Sequence, residues 1–257
     1  LNTVTTEDTD INITVSDSAF HATDNTATIA AAGLSAVKAK TSGTLTVTEA
    51  VKIVGSQAQL TKALVTDSIT ASTALATIND AAFHATDNTV TIAATALSGI
   101  GNATTGTVTV SNAIKVEGTA SQLTEALVSG SKTVSAGTAK VTVTDAAFHA
   151  TDNTVTIAAT TLSGIGGATS GTVTLKNKVR ISGAQSEVTT ALIGGSSVVA
   201  SQAATEAVVT NAVNASQGAA IADVSKITGI FSGGLTDSVG NLVTGVTTSA
   251  LSLIHIS

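Results

Sequence analysis

Several residue types are missing from this chain of 257 residues, which has no cysteine, proline, methionine, tryptophan or tyrosine. Without cysteine there is no disulfide framework, no thiolate metal site and no cysteine nucleophile. Four phenylalanines are the only aromatic residues, so the apolar volume comes from Ala, Val, Ile and Leu. Because aromatic side chains are what fill wide interiors, this composition favours thin stacked layers over one thick core.

Charged residues are also scarce, at 11% of the chain, with a net charge of −6 and a pI of about 5.0. The 11 basic residues are spread thinly and form no dense patch for a phosphate backbone, so we expect no nucleic-acid binding. No apolar run is long enough for a spanning helix, which predicts no membrane insertion. The polarity comes instead from Thr, Ser and Asn, and Thr, Val and Ile are typical strand residues.

One stretch appears three times and organises the chain. It reads Ala-Phe-His-Ala-Thr-Asp-Asn-Thr, then Ala or Val, then Thr-Ile-Ala-Ala, and its starts at Ala19, Ala82 and Ala147 are 63 and 65 residues apart. Near-identical copies at such an interval indicate tandem repeats. We therefore predict the following boundaries: repeats over 1–65, 66–129 and 130–195, and a divergent, more helical segment over 196–250.

Each repeat combines short strand patterns with short helical ones. Apolar and polar residues alternate over 10–16, which predicts a half-buried strand. Apolar residues four apart, such as Leu60 and Leu64, predict a helix of two to three turns that begins at an N-cap such as Ser56 or Thr119. In the divergent segment the pattern predicts helix over 201–222, strand over 227–231 and helix over 235–243.

Glycines recur at fixed points of the repeats, and we expect them to lie at bends with positive φ, which glycine adopts without strain. The positions are Gly43, Gly55, Gly106, Gly118, Gly171 and Gly183.

Strand, bend, strand and short helix in a thin aliphatic core predict a mainly β fold, a β-solenoid in which each coil buries its face on the next. The alternative is a row of small β-sandwich-like domains. A repeat of about 64 residues is short for an immunoglobulin-like domain of about 100 residues, so the solenoid is the leading expectation.

Three segments carry a resemblance: Ile-Val-Gly-Ser-Gln-Ala-Gln-Leu at 53–60, Val-Glu-Gly-Thr-Ala-Ser-Gln-Leu at 116–123 and Leu-Thr-Asp-Ser-Val-Gly-Asn-Leu-Val at 235–243. They resemble repeats of very large bacterial surface or secreted proteins, adhesin-like and rich in Ala, Thr and Val. The resemblance implies export and a structural or adhesive role, without catalytic residues to carry over.

The ends of the chain suggest a piece of something longer. The sequence does not begin with Met, and strand-like residues start almost at once. The last seven residues, 251–257, resemble a translated sequencing-adapter tail, so His255 is kept out of functional reasoning. We therefore expect neither end to be the native terminus.

Metal binding is weighed first at the repeated histidines and aspartates. Equivalent atoms three coils apart would be separated by roughly 14 Å at about 4.8 Å per coil, too far to share a zinc ion. Calcium needs six or more oxygens, and each turn offers one carboxylate. We therefore predict no metal or cofactor site; the residues considered are His21, His84, His149, Asp24, Asp87, Asp152, Glu7, Asp8 and Asp10.

No catalytic constellation emerges, and Arg180 is the only arginine. A polysaccharide lyase or hydrolase would need a local cluster of charged groups, so we predict no catalytic residues and no enzyme. The leading hypothesis is a structural stalk segment at the cell surface or outside the cell. Its partners would be neighbouring repeats of the same chain and cell-surface or matrix components.

The alternative function is binding through strand faces that carry Thr-x-Thr. Such pairs resemble the ice-binding face of some β-solenoid antifreeze proteins, and a carbohydrate ligand is the other version. A repeat that binds calcium weakly is the remaining alternative. Ice binding requires the pairs to align on one flat face, coil after coil. The pairs are Thr26/Thr28, Thr44/Thr46, Thr89/Thr91, Thr107/Thr109, Thr154/Thr156 and Thr172/Thr174.

Overall fold

The structure is a computed structural model. It describes residues 9–20, 28–84, 90–129, 134–148, 155–194, 198–202 and 205–242.

The chain divides into two compact units. The first comprises Leu1–Ile114 and Glu125–Gly137, and the second comprises Lys115–Thr124 and Thr138–Ser257. These units cut across the three predicted repeats, whose boundaries stay a prediction.

The described strands are short, at two to five residues each. In chain order they are β1 (Ile13–Val15), β2 (Thr28–Ala30), β3 (Leu45–Val47), β4 (Lys52–Gly55), β5 (Leu75–Ile78), β6 (Thr91–Ala93), β7 (Val108–Val110), β8 (Lys115–Gly118), β9 (Val134–Ser135), β10 (Lys140–Val143), β11 (Thr156–Ala158), β12 (Val173–Leu175), β13 (Arg180–Gly183), β14 (Val198–Ala200), β15 (Thr205–Val209) and β16 (Ile227–Phe231).

The helices are short as well and alternate with the strands. They are α1 (Ala31–Lys38), α2 (Gln57–Leu60), α3 (Ala94–Asn102), α4 (Ala120–Leu127), α5 (Ala159–Gly167), α6 (Gln185–Leu192) and α7 (Ala215–Ala222). A π-helical turn, Thr61–Thr66, continues α2 without a break.

Every strand pair described within the two units is parallel. In the first unit β1 pairs with β3, and a second sheet has the order β2-β4-β5-β7-β9. In the second unit β8, β10, β12 and β14 lie side by side, and another sheet has the order β11-β13-β15-β16. Parallel neighbours need a crossover connection, and the helices provide it.

The helices start where alanine-rich sequence follows a strand directly. Ala30, Ala93 and Ala158 are extended at the N-cap positions of α1, α3 and α5, and alanine is the strongest helix former. Each of these helices buries a leucine: Leu34, Leu97 or Leu162.

Two other helices, α2 and α4, start at caps that the sequence predicted. The Ser56 hydroxyl accepts from Gln59 N and the Gln59 side chain accepts from Ser56 N, and Thr119 and Gln122 do the same at α4. This reciprocal arrangement is a capping box. The N-caps expected at Ser56 and Thr119 are therefore confirmed.

The expected fold class is wrong. The described chain has about as many helical as strand residues, so it is not a mainly β solenoid, and the parallel pairing also rules out antiparallel sandwich-like domains. It is a mixed α/β protein of parallel sheets alternating with helices, the class to which Rossmann-like folds belong. The alanine-rich segments that follow β2, β6 and β11 are helices of eight or nine residues.

Two local expectations also need correction. The predicted helix over 201–222 is a strand, β15, followed by α7, whereas the strand expected over 227–231 is present as β16. None of the six glycines expected at positive φ has a positive φ angle. Among the described glycines, only Gly137 and Gly234 have one. The short apolar run at 207–209 in β15 explains the first error, because periodicity alone does not distinguish such a run in a buried strand from one in a buried helix.

The core of the described residues is largely aliphatic, with Phe148 and Phe231 as its buried aromatic residues. Its largest fully buried side chains are Leu45, Ile53, Leu60, Ile78, Leu97, Ile100, Ile114, Leu123, Leu162, Ile165, Leu175 and Ile181. Within the described ranges, no helix combines the length and the apolar character needed to cross a membrane.

Candidate functional site

The repeated Phe-His stretch is described only up to its first residues. His84 is exposed, whereas His21, His149 and His255 lie outside the described residues, as do the aspartates of the repeated turns, Asp24, Asp87 and Asp152.

The phenylalanines hold this stretch to a neighbouring pass of the chain. Phe20 N donates to Ala50 O at 3.0 Å, and Phe83 N and Phe148 N make the corresponding bonds to Ala113 O and Lys178 O. The Phe148 ring is buried, at 3% exposure. The ring therefore anchors the start of the stretch, the role that we expected for it.

A cation lies over two of these rings. The Arg180 guanidinium is 4.0 Å from the Phe148 centroid, and Lys52 Nζ is 5.1 Å from the Phe20 centroid. Such contacts are attractive electrostatically, and arginine favours them. The sequence carried a signal for this pairing that we did not use: Lys52 and Arg180 each follow their phenylalanine by 32 residues.

The single arginine is also an ion-pair partner. Arg180 Nη2 and Nε each lie 2.9 Å from Glu206 Oε2, and the two residues are directly opposite in the β13–β15 register. Opposite charges at such cross-strand positions stabilise a sheet. Arg180 is thus held between a buried ring and a carboxylate.

The residues weighed for a metal give no positive sign of one. Asp10 is exposed, and Glu7 and Asp8 lie outside the described residues. Within the described part of the chain, no three His, Cys, Asp or Glu side chains come together in a metal-binding group.

A buried threonine two residues before a glycine makes the same contacts three times. We call the pairs Thr41/Gly43, Thr104/Gly106 and Thr169/Gly171 the Thr–Gly clamp. In each, the threonine hydroxyl donates to a carbonyl 30 residues earlier and accepts from the glycine N–H. The hydroxyl distances to Ile11 O, Ala74 O and Ala139 O are 2.5, 2.5 and 2.6 Å.

The clamp glycine is required by close approach rather than by backbone conformation. A Cβ atom on Gly106 would lie less than 3.0 Å from Ala74 O, and one on Gly171 equally close to Ala139 O. Real Cβ atoms essentially never approach a carbonyl oxygen so closely. Sequence reasoning found these glycines but gave the wrong reason for them.

Carboxylate and amide oxygens from the following pass of the chain accept a hydrogen bond from the first N–H of four helices, α2, α4, α6 and α7. Gln57 N, the first N–H of α2, donates to Asp80 Oδ2 at 2.6 Å. Equivalent bonds start the later helices: Ala120 N to Asp145 Oδ2, Gln185 N to Asn211 Oδ1 and Ala215 N to Asp237 Oδ2. We call these bonds the cross-pass caps; they satisfy orphan N–H groups that a helix start leaves open.

Asp237 shows the electrostatic consequence of such a cap. The Asn241 amide, followed by the backbone N–H groups of Ser238 and Ala215, holds the pKa of Asp237 below its ordinary value. Hydrogen bonds to the charged form of a carboxyl group favour that form. The sequence analysis missed all of the cap residues, although Asp80 and Asp145 occupy equivalent places.

The Thr-x-Thr pairs align over a few strands only. Thr14, Thr46 and Thr70 form one outward row in the first unit, and Thr44 donates to the Asn12 side chain beside it. A second row joins Thr77, Thr109 and Ser135.

Other residue types interrupt these rows. Val54 is the next neighbour of Thr77, and Lys52 pairs with Leu75. In the second unit Thr142 and Thr174 lie between Glu117 and Val199. In the described strands, a hydroxyl row is therefore at most three strands wide.

The chain was compared with protein-family models, curated proteins and solved structures, and none of them matched.

Proposed function

We propose that this chain is a non-enzymatic structural segment of a large exported bacterial repeat protein. Its role is to extend or space a binding domain at the cell surface or in the extracellular medium. Each predicted repeat makes contacts with the next, so the first partners of a repeat are its neighbours in the same chain. The parent protein is expected to bind cell-surface or matrix components.

One observation carries this proposal: the distinctive polar residues of the chain bind its own backbone, one pass away. The hydroxyl of each Thr–Gly clamp contacts a carbonyl 30 residues earlier, and each cross-pass cap contacts a helix start 22 to 26 residues earlier. Groups used in this way hold successive passes together, which is what a load-bearing spacer requires.

Surface display tests the proposal directly. The whole chain is placed between an outer-membrane anchor and a domain of known ligand, and capture of ligand-coated beads is measured under flow. We expect more capture than with a Gly/Ser linker of equal residue number, because such a linker is a flexible coil.

The matched control carries Gly106→Val in the same display protein. This substitution disrupts one clamp and should reduce capture toward the level of the linker. Equal capture by all three proteins would contradict the spacer role. Bead capture by the chain without the ligand-binding domain would instead make the chain itself a binding module.

The hydroxyl rows favour a second candidate, binding of ice or carbohydrate through strand faces. Asn12, Thr14, Thr44, Thr46 and Thr70 place neutral polar groups on three neighbouring strands, about 4.8 Å apart. Thermal hysteresis of the purified chain tests the ice version, and Thr46→Val should abolish any hysteresis present. A reading of zero for the unsubstituted chain would remove the ice version.

A further inference from the structure

The exit from the second helix of the first repeat differs from its counterparts. There the chain continues as the π-helical turn Thr61–Thr66, with Asp67 N donating to Lys62 O at 2.7 Å. The equivalent helices α4 and α6 are α-helical up to Leu127 and Leu192, which correspond to Leu64. After α6 a single bond between residues five apart, from Gly194 N to Thr189 O at 2.9 Å, closes the helix. Isolated π-helical turns occur frequently at functional sites.

An ion pair closes the same turn. Lys62 Nζ lies 2.8 Å from Asp67 Oδ1 and 2.9 Å from Oδ2, so the two residues are joined through both backbone and side chains. At 3.6 residues per turn, residues five apart in an α-helix point about 140° away from each other, and side chains at this spacing do not face each other. A π-helical turn removes that separation, so the pairing and the turn support each other.

Ser35 adds a second, independent observation. Its side chain is 7% exposed and its hydroxyl has no hydrogen-bond partner of good geometry among the described residues. The counterparts Ser98 and Ser163 donate to the carbonyl three residues earlier in their own helices. The Ser35 hydroxyl instead lies beside the Asp67 carboxylate and, after Lys62, helps to hold the pKa of Asp67 below its ordinary value.

The charges around this turn come from few elements. The turn packs against α1, α2 and α3, and the only charged residue on these three helices is Lys38 of α1, which also favours the ionised Asp67. The later repeats lack the set, since Glu125 and Thr190 replace Lys62 and Gly130 and Gly195 replace Asp67.

We propose that the Lys62–Asp67 pair is an ionic latch that holds this helix exit in its π-helical form. Without the latch, the exit takes the form that follows α6, in which Gly194 N, the counterpart of Thr66 N, bonds to Thr189 O, and the bond from Asp67 N to the Lys62 carbonyl is lost. The first repeat therefore contains a conformational element that responds to the charge of one side chain. Ser68, which follows this exit, has a left-handed backbone conformation with φ 50°. It directs the chain toward Thr70, which forms a β-bridge with Thr46.

Scalar couplings across hydrogen bonds, measured by NMR on the labelled full chain, test the latch. The unsubstituted chain should show a coupling from Asp67 N to the Lys62 carbonyl carbon. In Asp67→Asn and in Lys62→Gln this coupling should disappear, because the exit then takes the form that follows α6. The double exchange Lys62→Asp with Asp67→Lys should restore the original pattern.

The rival explanation is chain length. The interval from Gly55 to Phe83 is 28 residues, whereas that from Gly118 to Phe148 is 30, so a short connection alone could force the turn. Inserting two residues after Ser68 separates the two causes. The latch is supported if the π-helical coupling survives the insertion, and it is overturned if the insertion removes it or if both charge substitutions leave it in place.

Discussion

Two regions of the repeats behave in opposite ways. The Thr–Gly clamp makes the same pair of hydrogen bonds in all three copies. The second helix, in contrast, continues as a six-residue π-helical turn in the first copy and stays α-helical up to Leu192 in the third. The clamp threonines are buried and contact backbone atoms that every copy possesses. The helix exit depends on an ion pair whose lysine side chain is 58% exposed, and both residues of the pair differ from copy to copy.

This comparison shows where the repeat tolerates change. A contact between a side chain and the backbone of the next pass keeps the spacing of the passes, so the residue that makes it is fixed by geometry. An ion pair with one largely exposed partner is screened by solvent and carries little energy, so it can be gained or lost in a single copy. Substitutions in the two regions should therefore differ in effect by several fold.

The largest effect is expected for Gly106→Ala. The added Cβ would lie less than 3.0 Å from Ala74 O, and neither backbone segment can move without breaking the clamp. We expect a loss of about 3 kcal/mol or more in the free energy of unfolding, at the upper end of overpacking substitutions. The midpoint of urea unfolding measures it.

Gly33→Ala is the matched control for this glycine. Gly33 lies inside α1 and a Cβ there meets no atom within 4 Å, so alanine should stabilise by about 0.5–1 kcal/mol through its helix propensity. Equal effects of the two substitutions would show that close approach is not what fixes the clamp glycine.

A smaller loss is expected for Thr104→Val. The substitution keeps the shape of the side chain but removes a hydroxyl that contacts Ala74 O and Gly106 N, at a residue that is 3% exposed. Leaving those buried groups unpaired should reduce the free energy of unfolding by about 2 kcal/mol. Differential scanning calorimetry should show a correspondingly lower Tm.

Two further variants test the origin of that loss. Thr104→Ser retains the hydroxyl and should recover more than half of the lost stability. Thr105→Val removes an exposed hydroxyl, which donates to Ser72 O, and should have less than half the effect of Thr104→Val. If the exposed position mattered as much as the buried one, burial of the clamp would not be the cause.

The third-largest loss of stability is expected when a cross-pass cap is removed. Asp145→Ala leaves the first N–H of α4 without its acceptor, and loss of a helix cap reduces stability by about 1 kcal/mol. Asp145→Asn should change stability by less than about 0.5 kcal/mol, because Asn211 already performs this role at Gln185 N with a distance of 2.6 Å. Urea unfolding of the two variants in parallel measures the difference, and an asparagine variant as unstable as the alanine variant would show that the charge is essential.

The sequence predicted the periodic parts of this molecule better than its class. The N-caps at Ser56 and Thr119 and the strand over 227–231 followed from local chemistry, and the structure has them. The mainly β class was wrong because strands of three residues and helices of eight are both marginal alone. Which of them dominates depends on packing between passes, which a local pattern does not contain.

The candidate site shows the same limit. Thr104 and Asp145 are ordinary turn and cap residues by sequence, and only their contacts 30 and 25 residues away give them their role. The sequence shows that such residues recur at equivalent positions of the repeats. The atoms that they bind could not be named before the register of the passes was known.

The smallest effect is expected at the helix exit that differs between copies. Lys62 together with the Ser35 hydroxyl lowers the pKa of Asp67 from its ordinary 3.8. The pair therefore stabilises the folded chain fully above that value, and the stabilisation is lost as the pH falls through the lowered pKa. Because the Lys62 side chain is 58% exposed, we expect Asp67→Asn to reduce stability at neutral pH by about 0.5 kcal/mol. Urea unfolding at pH 7 and at about pH 3 should show the difference between the variant and the parent chain shrinking with acid and with added salt. A difference that is unchanged by both conditions would mean that the carboxylate acts there through packing and not through its charge.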